Sequence, residues 1–211
     1  MWRPEALEFL RELESNNDRE WFKANRKRYD AELVAPAKEL AGNLSHLGEP
    51  HFFRPFRDTR FRPGPPIKEE LGVAIMAAGG AAYYFQLSLD GLLVAGGMHM
   101  PQTDQLERFR SAIVDDRRAA GFELTVRTAH DAGLVTAEPA LKRAPRGYPP
   151  AHPRLDLLRL KSLTVSKRHE LTGWLHTPAC DEALGVELEA TRPLVDWLAA
   201  NVGPSTSGHA R

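Results

Sequence analysis

Residues 71–100 read LGVAIMAAGGAAYYFQLSLDGLLVAGGMHM, and this stretch decides the fold. Leu71 to Ala78, Tyr83 to Leu89 and Leu92 to Met100 are apolar runs rich in β-branched and aromatic residues, the signature of strands. The links between them are short, and Asp90-Gly91 has the chemistry of a two-residue hairpin turn. Strands joined this closely pair antiparallel, because a parallel pair needs a long crossover. Gly96-Gly97 near the end of the third run predicts a bulge or a close backbone approach.

Helices are predicted on either side. Pro4 suits a first helical position, and Leu7, Leu10 and Leu13 form an apolar stripe. Asn17 with Glu20 has capping-box spacing before a second helix through Trp21, Tyr29, Leu33, Leu40, Leu44 and Leu47. Pro36 is expected to kink or split that helix, and Gly48 to stop it. Residues 52–61 read as one extended segment, followed by a rigid loop at Pro63-Gly64-Pro65-Pro66. Beyond Pro101, Thr103 is a candidate cap for a helix through Phe109 and Val114, and Asp115 or Asp116 for another. A short strand is expected near Leu134–Ala137, a short helix after Pro153, and a strand over Leu163–Ser166. Thr177-Pro178 opens the last helix, which Pro193 is expected to divide. The fold class is therefore α+β: one domain over residues 1–202, a mainly antiparallel meander of about four to six strands packed with N-terminal and C-terminal helices. Residues 203–211 are small and polar and read as a disordered tail.

Composition removes several function classes. Lys+Arg and Asp+Glu are both 28 in 211 residues, so the chain as a whole is no basic nucleic-acid coat. One cysteine, Cys180, excludes a disulfide framework and a cysteine-rich metal or iron–sulfur site. It lies in the first turn of the last predicted helix, with no histidine neighbour to make it a nucleophile. No stretch approaches the ~18 consecutive apolar residues of a membrane span, and the first residues do not form a signal peptide. The expected location is the cytoplasm, with no membrane partner.

The neutral total hides two basic segments. Residues 54–68 hold Arg54, Arg57, Arg60, Arg62 and Lys68 against Asp58, and residues 142–168 hold eight Lys and Arg against Asp156. Arginine outnumbers lysine in both, and its planar fork suits bidentate contact with phosphate or carboxylate. If residues 52–62 are extended, Asp58 and Arg60 share a face with Phe52 and Phe56, and Arg57 shares the other with Phe53 and Phe61. Two readings stand side by side: a structural network in which Asp58 pairs with arginines of the second segment, and an anion site shared by the two.

Three motifs together resemble one family. They are Asn16-Asn17-Asp18-Arg19-Glu20-Trp21-Phe22, Arg57-Asp58-Thr59-Arg60-Phe61, and Leu141-Lys142-Arg143-Ala144-Pro145-Arg146-Gly147-Tyr148, the last running on through His152-Pro153 to Leu157-Leu158-Arg159-Leu160-Lys161-Ser162. The combination resembles the bacterial and fungal family catalogued as domain of unknown function 2461, over about residues 5 to 200. The resemblance implies no activity or cofactor. Members usually carry a Ser-x-Asp-Lys-like stretch and then Pro-Tyr-Lys after the Arg-Phe. Here the positions read Arg62-Pro63-Gly64-Pro65-Pro66-Ile67-Lys68, so only Lys68 matches, and binding that relied on the missing pair would differ in this chain.

Recognised catalytic motifs are absent: no phosphate loop, no dinucleotide fingerprint, no His-Glu-x-x-His helix, no nucleophile elbow. No metal site and no cofactor is expected. The expected function is a binding module for an anionic small ligand, using Arg57, Arg60, Lys68, Lys142, Arg143 and Arg146, with Tyr148 as a stacking ring. The alternative is an enzyme acting on a phosphorylated substrate, with Asp58, His99 or His152 as acid or base. Local nucleic-acid binding and a protein-interaction scaffold rank behind these, and sequence does not fix the oligomeric state.

Overall fold

A computed structural model describes residues 1–58 and 64–206. Its elements follow in chain order. Helices α1 (Pro4–Ser15), α2 (Arg19–Ala24) and α3 (Arg26–Arg28) lead through a π-helical turn (Tyr29–Val34) into α4 (Ala35–Asn43). Strands β1 (Glu49–Phe52), β2 (Glu70–Met76), β3 (Ala82–Ser88) and β4 (Gly91–Met98) come next. Then follow α5 (Thr103–Val114), α6 (Asp116–Asp131), β5 (Val135–Thr136), α7 (Leu155–Leu158), β6 (Leu163–His169) and α8 (Pro178–Asn201). The fold is α+β, built on one open antiparallel sheet in the order β1-β2-β3-β4-β6-β5. β2, β3 and β4 are the three predicted meander strands, and β1 precedes the extended segment expected from residue 52. β5 and β6 form a pair with Val135 opposite Ser166 and Thr136 opposite Val165.

Side-chain alternation explains how the sheet is covered. Leu71, Val73, Ile75, Tyr83, Phe85, Leu87, Leu92 and Val94 are buried, whereas Glu70, Tyr84, Gln86 and Leu93 are half-buried. The chain gathers into two compact units, one formed from Met1–Ile75, Tyr84–Val94 and Arg168–Val186, the other from Met76–Tyr83, Ala95–Lys167 and Glu187–Arg211. In the first, Trp2 meets Phe85 edge-on, and Phe9, Phe22 and Tyr29 form a ring cluster. In the second, Phe109, Phe122 and Trp197 do the same.

Several local expectations are corrected. The predicted second helix is divided at Asn25, and Pro36 stands in the first turn of its last piece, α4. A π turn precedes it, with Ala35 N–H bonded to Asp30 O, five residues back. Proline lacks the N–H for the ordinary bond and its ring crowds the preceding turn, and the wider turn relieves both. Pro193 does not divide α8. Thr191, Leu194, Val195 and Leu198 around it are buried, and that packing outweighs one lost backbone bond. Gln102, not Thr103, caps α5, with Gln105 Oε1 accepting from Gln102 N at 2.9 Å. Asp18, not Asn17, caps α2, accepting from Trp21 N at 2.8 Å. The hairpin turn is Leu89-Asp90, with Gly91 opening β4.

The segment from residue 52 is not one continuous strand. β1 ends at Phe52, Pro55 interrupts, and pairing resumes as a single bridge between Phe56 and Ile67. Gly96 answers its prediction directly: a Cβ there would lie 2.2 Å from Thr191 Oγ1, so the strand permits close approach only without a side chain. At the C-terminus, Gly203 to Thr206 carry hydrogen bonds: Gln105 Nε2 donates to Gly203 O at 2.9 Å, and Thr206 N donates to Asp104 Oδ2 at 2.7 Å. The remainder of the expected tail, 207–211, lies outside the described residues.

Candidate functional site

The two basic segments are built in different ways; the first falls in the first unit and the second, up to Lys167, in the second. In the first, Arg57 N–H donates to Pro66 O at 2.8 Å and Lys68 N–H to Pro55 O at 2.7 Å, on either side of the Phe56–Ile67 bridge. That ladder brings the backbones of Arg57 and Lys68 together although eleven positions separate them. The strand end beside Lys68 is clasped from α2's approach. Asn17 Nδ2 donates to Ile67 O at 3.0 Å and to Glu69 Oε1 at 2.7 Å, and Ile67 N–H donates to Asn17 Oδ1 at 3.0 Å. Lys68 Nζ lies over the Phe53 ring, 5.5 Å from its centroid, and Phe53 is 40% exposed. The Arg57 side chain is exposed and has no ion pair among the described residues. Asp58 is exposed and has an interaction partner. Arg60 lies outside the described residues.

In the second unit the loop after β5 carries Lys142, Arg143 and Arg146, all exposed and none with a side-chain ion pair or hydrogen bond among the described residues. Local chemistry shapes this loop. Tyr148 N–H closes a turn on Pro145 O at 3.2 Å, and Gly147 takes φ 89° at its third position. A side chain there would be strained, so glycine permits the turn that leaves Arg146 at the corner. Arg159 fixes the base: its backbone carbonyl accepts from Ala140 N and Leu141 N, both at 3.1 Å, while its guanidinium donates to Leu141 O and to Asp156 at 3.1 Å. Arg154 is likewise structural, bonded to Glu123 at 3.1 Å and Asp116 at 2.8 Å. Lys167 meets the nearly buried Glu187 at 2.5 Å. The second segment thus divides into cations that hold the fold and cations that face solvent.

The histidines separate in the same way. His152 Nδ1 accepts from Arg154 N at 3.0 Å, which makes it a cap on the entry to α7. His99 follows the end of β4 and is exposed. Tyr148 is half-buried. Cys180 is wholly buried at the start of α8. Among the described residues no cluster of histidine, cysteine and carboxylate groups has the geometry to hold a metal ion.

Sequence reasoning missed two arrangements. The first lies on the half-exposed face of the sheet. Tyr84 Oη donates to Gln86 Oε1 at 2.8 Å, and Gln86 Nε2 donates to Glu70 Oε2 at 3.5 Å. Gly72 leaves room for the Tyr84 hydroxyl, which would lie 2.6 Å from a Cβ. Burial pushes the Tyr84 phenol up to about 12, the Glu70 charge adds to the rise, and the Arg168 charge opposes it. Only strand register reveals this set, and sequence spacing does not supply register. The second is a cleft of about 720 Å³ in the first unit, lined by Arg3, Glu5, Glu32, Glu39, His176 and Asp181 among others. Arg28 pairs with Glu12 at 2.7 Å and Glu32 at 3.2 Å, while Glu32 Oε2 and Asp181 Oδ1 are buried without a partner.

No helix among the described residues is long and apolar enough to cross a membrane. No curated protein and no solved structure matches the chain. A family model described as "Conserved hypothetical protein (DUF2461)" matches residues 5–197, nearly the whole sequence and all three motifs that suggested it, and the chain belongs to that family.

Proposed function

We propose that this protein is a binding module for an anionic small ligand bearing phosphate or carboxylate groups. One observation carries the reading. Lys142, Arg143 and Arg146 stand exposed and without carboxylate partners on a loop whose base Arg159 holds in place. Arginines that only stabilise a fold find acceptors, as Arg154 and Arg159 do here. Cations on an anchored loop keep their binding capacity for a partner. Arg57 and Lys68 supply a second basic patch in the first unit. A cytoplasmic setting accompanies this reading, given the single, buried thiol.

The test is thermal unfolding at fixed ionic strength, with chloride compared against inorganic phosphate, nucleotides, sugar phosphates and dicarboxylates. A ligand at about a hundred times its dissociation constant adds ~2.7 kcal/mol. The expected result is a ligand-selective rise in midpoint that Arg143→Ala and Arg146→Ala abolish. A flat response with folded protein, or a rise unchanged in both variants, overturns the reading.

A further inference from the structure

The half-exposed sheet face of the first unit combines three chemistries. Aromatic surface comes from Phe53, which meets His51 at 5.0 Å and Tyr84 at 6.2 Å, both edge-on. Positive charge comes from Lys68 over the Phe53 ring, and from the exposed Arg168, whose charge reaches the Tyr84 phenol. Amide hydrogen bonding comes from Gln86, held between Tyr84 and Glu70. Arg54 and Arg57 continue the same edge segment and are exposed, with no side-chain partner among the described residues.

A cation over an exposed ring contributes only ~0.5–1 kcal/mol to stability. Such a pair is the arrangement expected where a flat π-system stacks and a phosphate follows. Bases stack on aromatic rings whatever their sequence, and nearby cations meet the backbone. Among the described residues, Glu70 is held by Gln86 and Glu69 by Asn17, which leaves Lys68 and Arg168 facing out. The surface runs from Phe53 and Lys68 at the β1 edge to Tyr84 and Gln86 on β3 and Arg168 on β6, an open face on which a single small molecule would be covered on one side only. A polymer gains several such contacts in succession. Pro50 on β1 removes an N–H group that an added peptide strand would need, which disfavours an extended peptide as occupant.

We infer that this face binds single-stranded nucleic acid, with Phe53 as the stacking ring and Lys68 and Arg168 as phosphate contacts. The inference deepens the anionic-ligand reading and rests on it for the role of Lys68. It adds a polymer partner and a surface in the first unit that the loop residues Lys142, Arg143 and Arg146 do not form.

The experiment is fluorescence anisotropy of the full chain with labelled oligonucleotides of about 12 nucleotides, within the usual footprint of such surfaces. Single-stranded DNA and RNA are compared with the matching duplex, a mononucleotide and inorganic phosphate. Binding of the single strands is expected, with the duplex at least tenfold weaker. Phe53→Ala and Phe53→Leu each weaken single-strand binding about 5- to 150-fold, the equivalent of one lost stacking contact. Phe53→Trp restores it. Lys68→Ala flattens the salt dependence by roughly 0.7 in logarithmic slope. Leucine keeps the apolar volume, so its effect separates stacking from folding, and the thermal midpoints of all variants are measured alongside. No single-strand binding overturns the inference, as does binding unchanged by Phe53→Leu or equal for duplex. A phosphate response that depends on Arg143 while oligonucleotides do not bind sinks this inference and leaves the anionic-ligand reading standing. Oligonucleotide binding that depends on Phe53, with no response to any small anion, supports the surface and overturns the small-ligand reading.

Discussion

Asn17 grips Ile67 by both of its backbone groups: Ile67 N–H donates to Asn17 Oδ1 and Asn17 Nδ2 donates to Ile67 O, each at 3.0 Å. A side-chain amide here imitates a neighbouring strand, satisfying a backbone pair that the Phe56–Ile67 bridge leaves on the other side. Asn17→Ala removes both partners at once from a wholly buried residue. The expected cost is about 1–3 kcal/mol, read as a lowered urea midpoint with an unchanged slope. Asn17→Asp keeps the acceptor and loses the donor, so it leaves Ile67 O and Glu69 facing a carboxylate. It is expected to destabilise at least as much.

Arg159 couples the loop to α7 through its bond to the Leu141 carbonyl and its ion pair with Asp156. Arg159→Ala should loosen residues 141–153 while leaving the strands intact. Limited proteolysis should then cut after Arg143 or Arg146 faster than in the parent, with far-ultraviolet circular dichroism unchanged. Arg154→Ala acts elsewhere, releasing Glu123 and Asp116 on α6, and should lower stability without accelerating those cuts.

Asp104 accepts from the Thr206 backbone, from the Ser205 and Thr206 hydroxyls and from Arg108. These bonds hold its carboxyl well below the usual carboxylate range, the Thr206 backbone bond first among them. A depressed folded-state value means the stabilisation is present above the unfolded carboxylate's titration and is lost as pH falls through the folded one. The segment 202–206 should therefore detach from α5 in acid before the helices melt. Asp104→Asn should give the same detachment at neutral pH, seen as faster amide exchange at Thr206.

Tyr29 and Tyr84 are both pushed up to about 12, chiefly by burial. Their neutral forms are favoured by folding, so the sign is opposite to that of Asp104. Stability from these groups is complete below the ordinary phenol value near 10 and declines as pH rises from there through about 12. A spectrophotometric titration should show Tyr29 and Tyr84 ionising only at the alkaline end, together with unfolding, while burial raises Tyr83 as well. Tyr84→Phe should remove one of them and leave Gln86 without its donor.

Gly96→Ala tests the packing of α8 on the sheet. The new methyl would sit 2.2 Å from Thr191 Oγ1 and 2.4 Å from its Cβ, so strand or helix must shift. A loss of about 1–3 kcal/mol is expected, measured by thermal unfolding.

Local chemistry was legible where it is self-contained. Leu71–Met100 announced three strands because apolar runs and short links leave no other pairing. The glycine pair announced close approach, and the Asp115-Asp116 pair announced α6, which Asp115 caps by accepting from Arg118 N at 2.8 Å. Asn17 misled because its spacing to Glu20 fits a cap, while its actual partners lie fifty positions away and no local pattern encodes them. Pro193 misled because backbone chemistry argues for a break and buried side chains override it. In the candidate site, the solvent-facing loop cations were readable from the Pro-Arg-Gly turn. The division between Arg143, which is exposed, and Arg159, which is bonded, was not: both are arginines in a basic run, and only tertiary acceptors tell them apart.

β5 and β6 are antiparallel neighbours, yet everything from Ala137 to Ser162 intervenes between them. The basic loop is thus an excursion out of a hairpin whose two ends are already stitched together by the ladder and by the Arg159 carbonyl. Doubling the length of a flexible loop costs only about 0.6 kcal/mol in closure entropy. Length changes confined to the exposed stretch around Lys142–Arg146 are therefore expected to cost the sheet little, whereas the ends of the excursion, tied down at Arg154 and Arg159, are not free to vary.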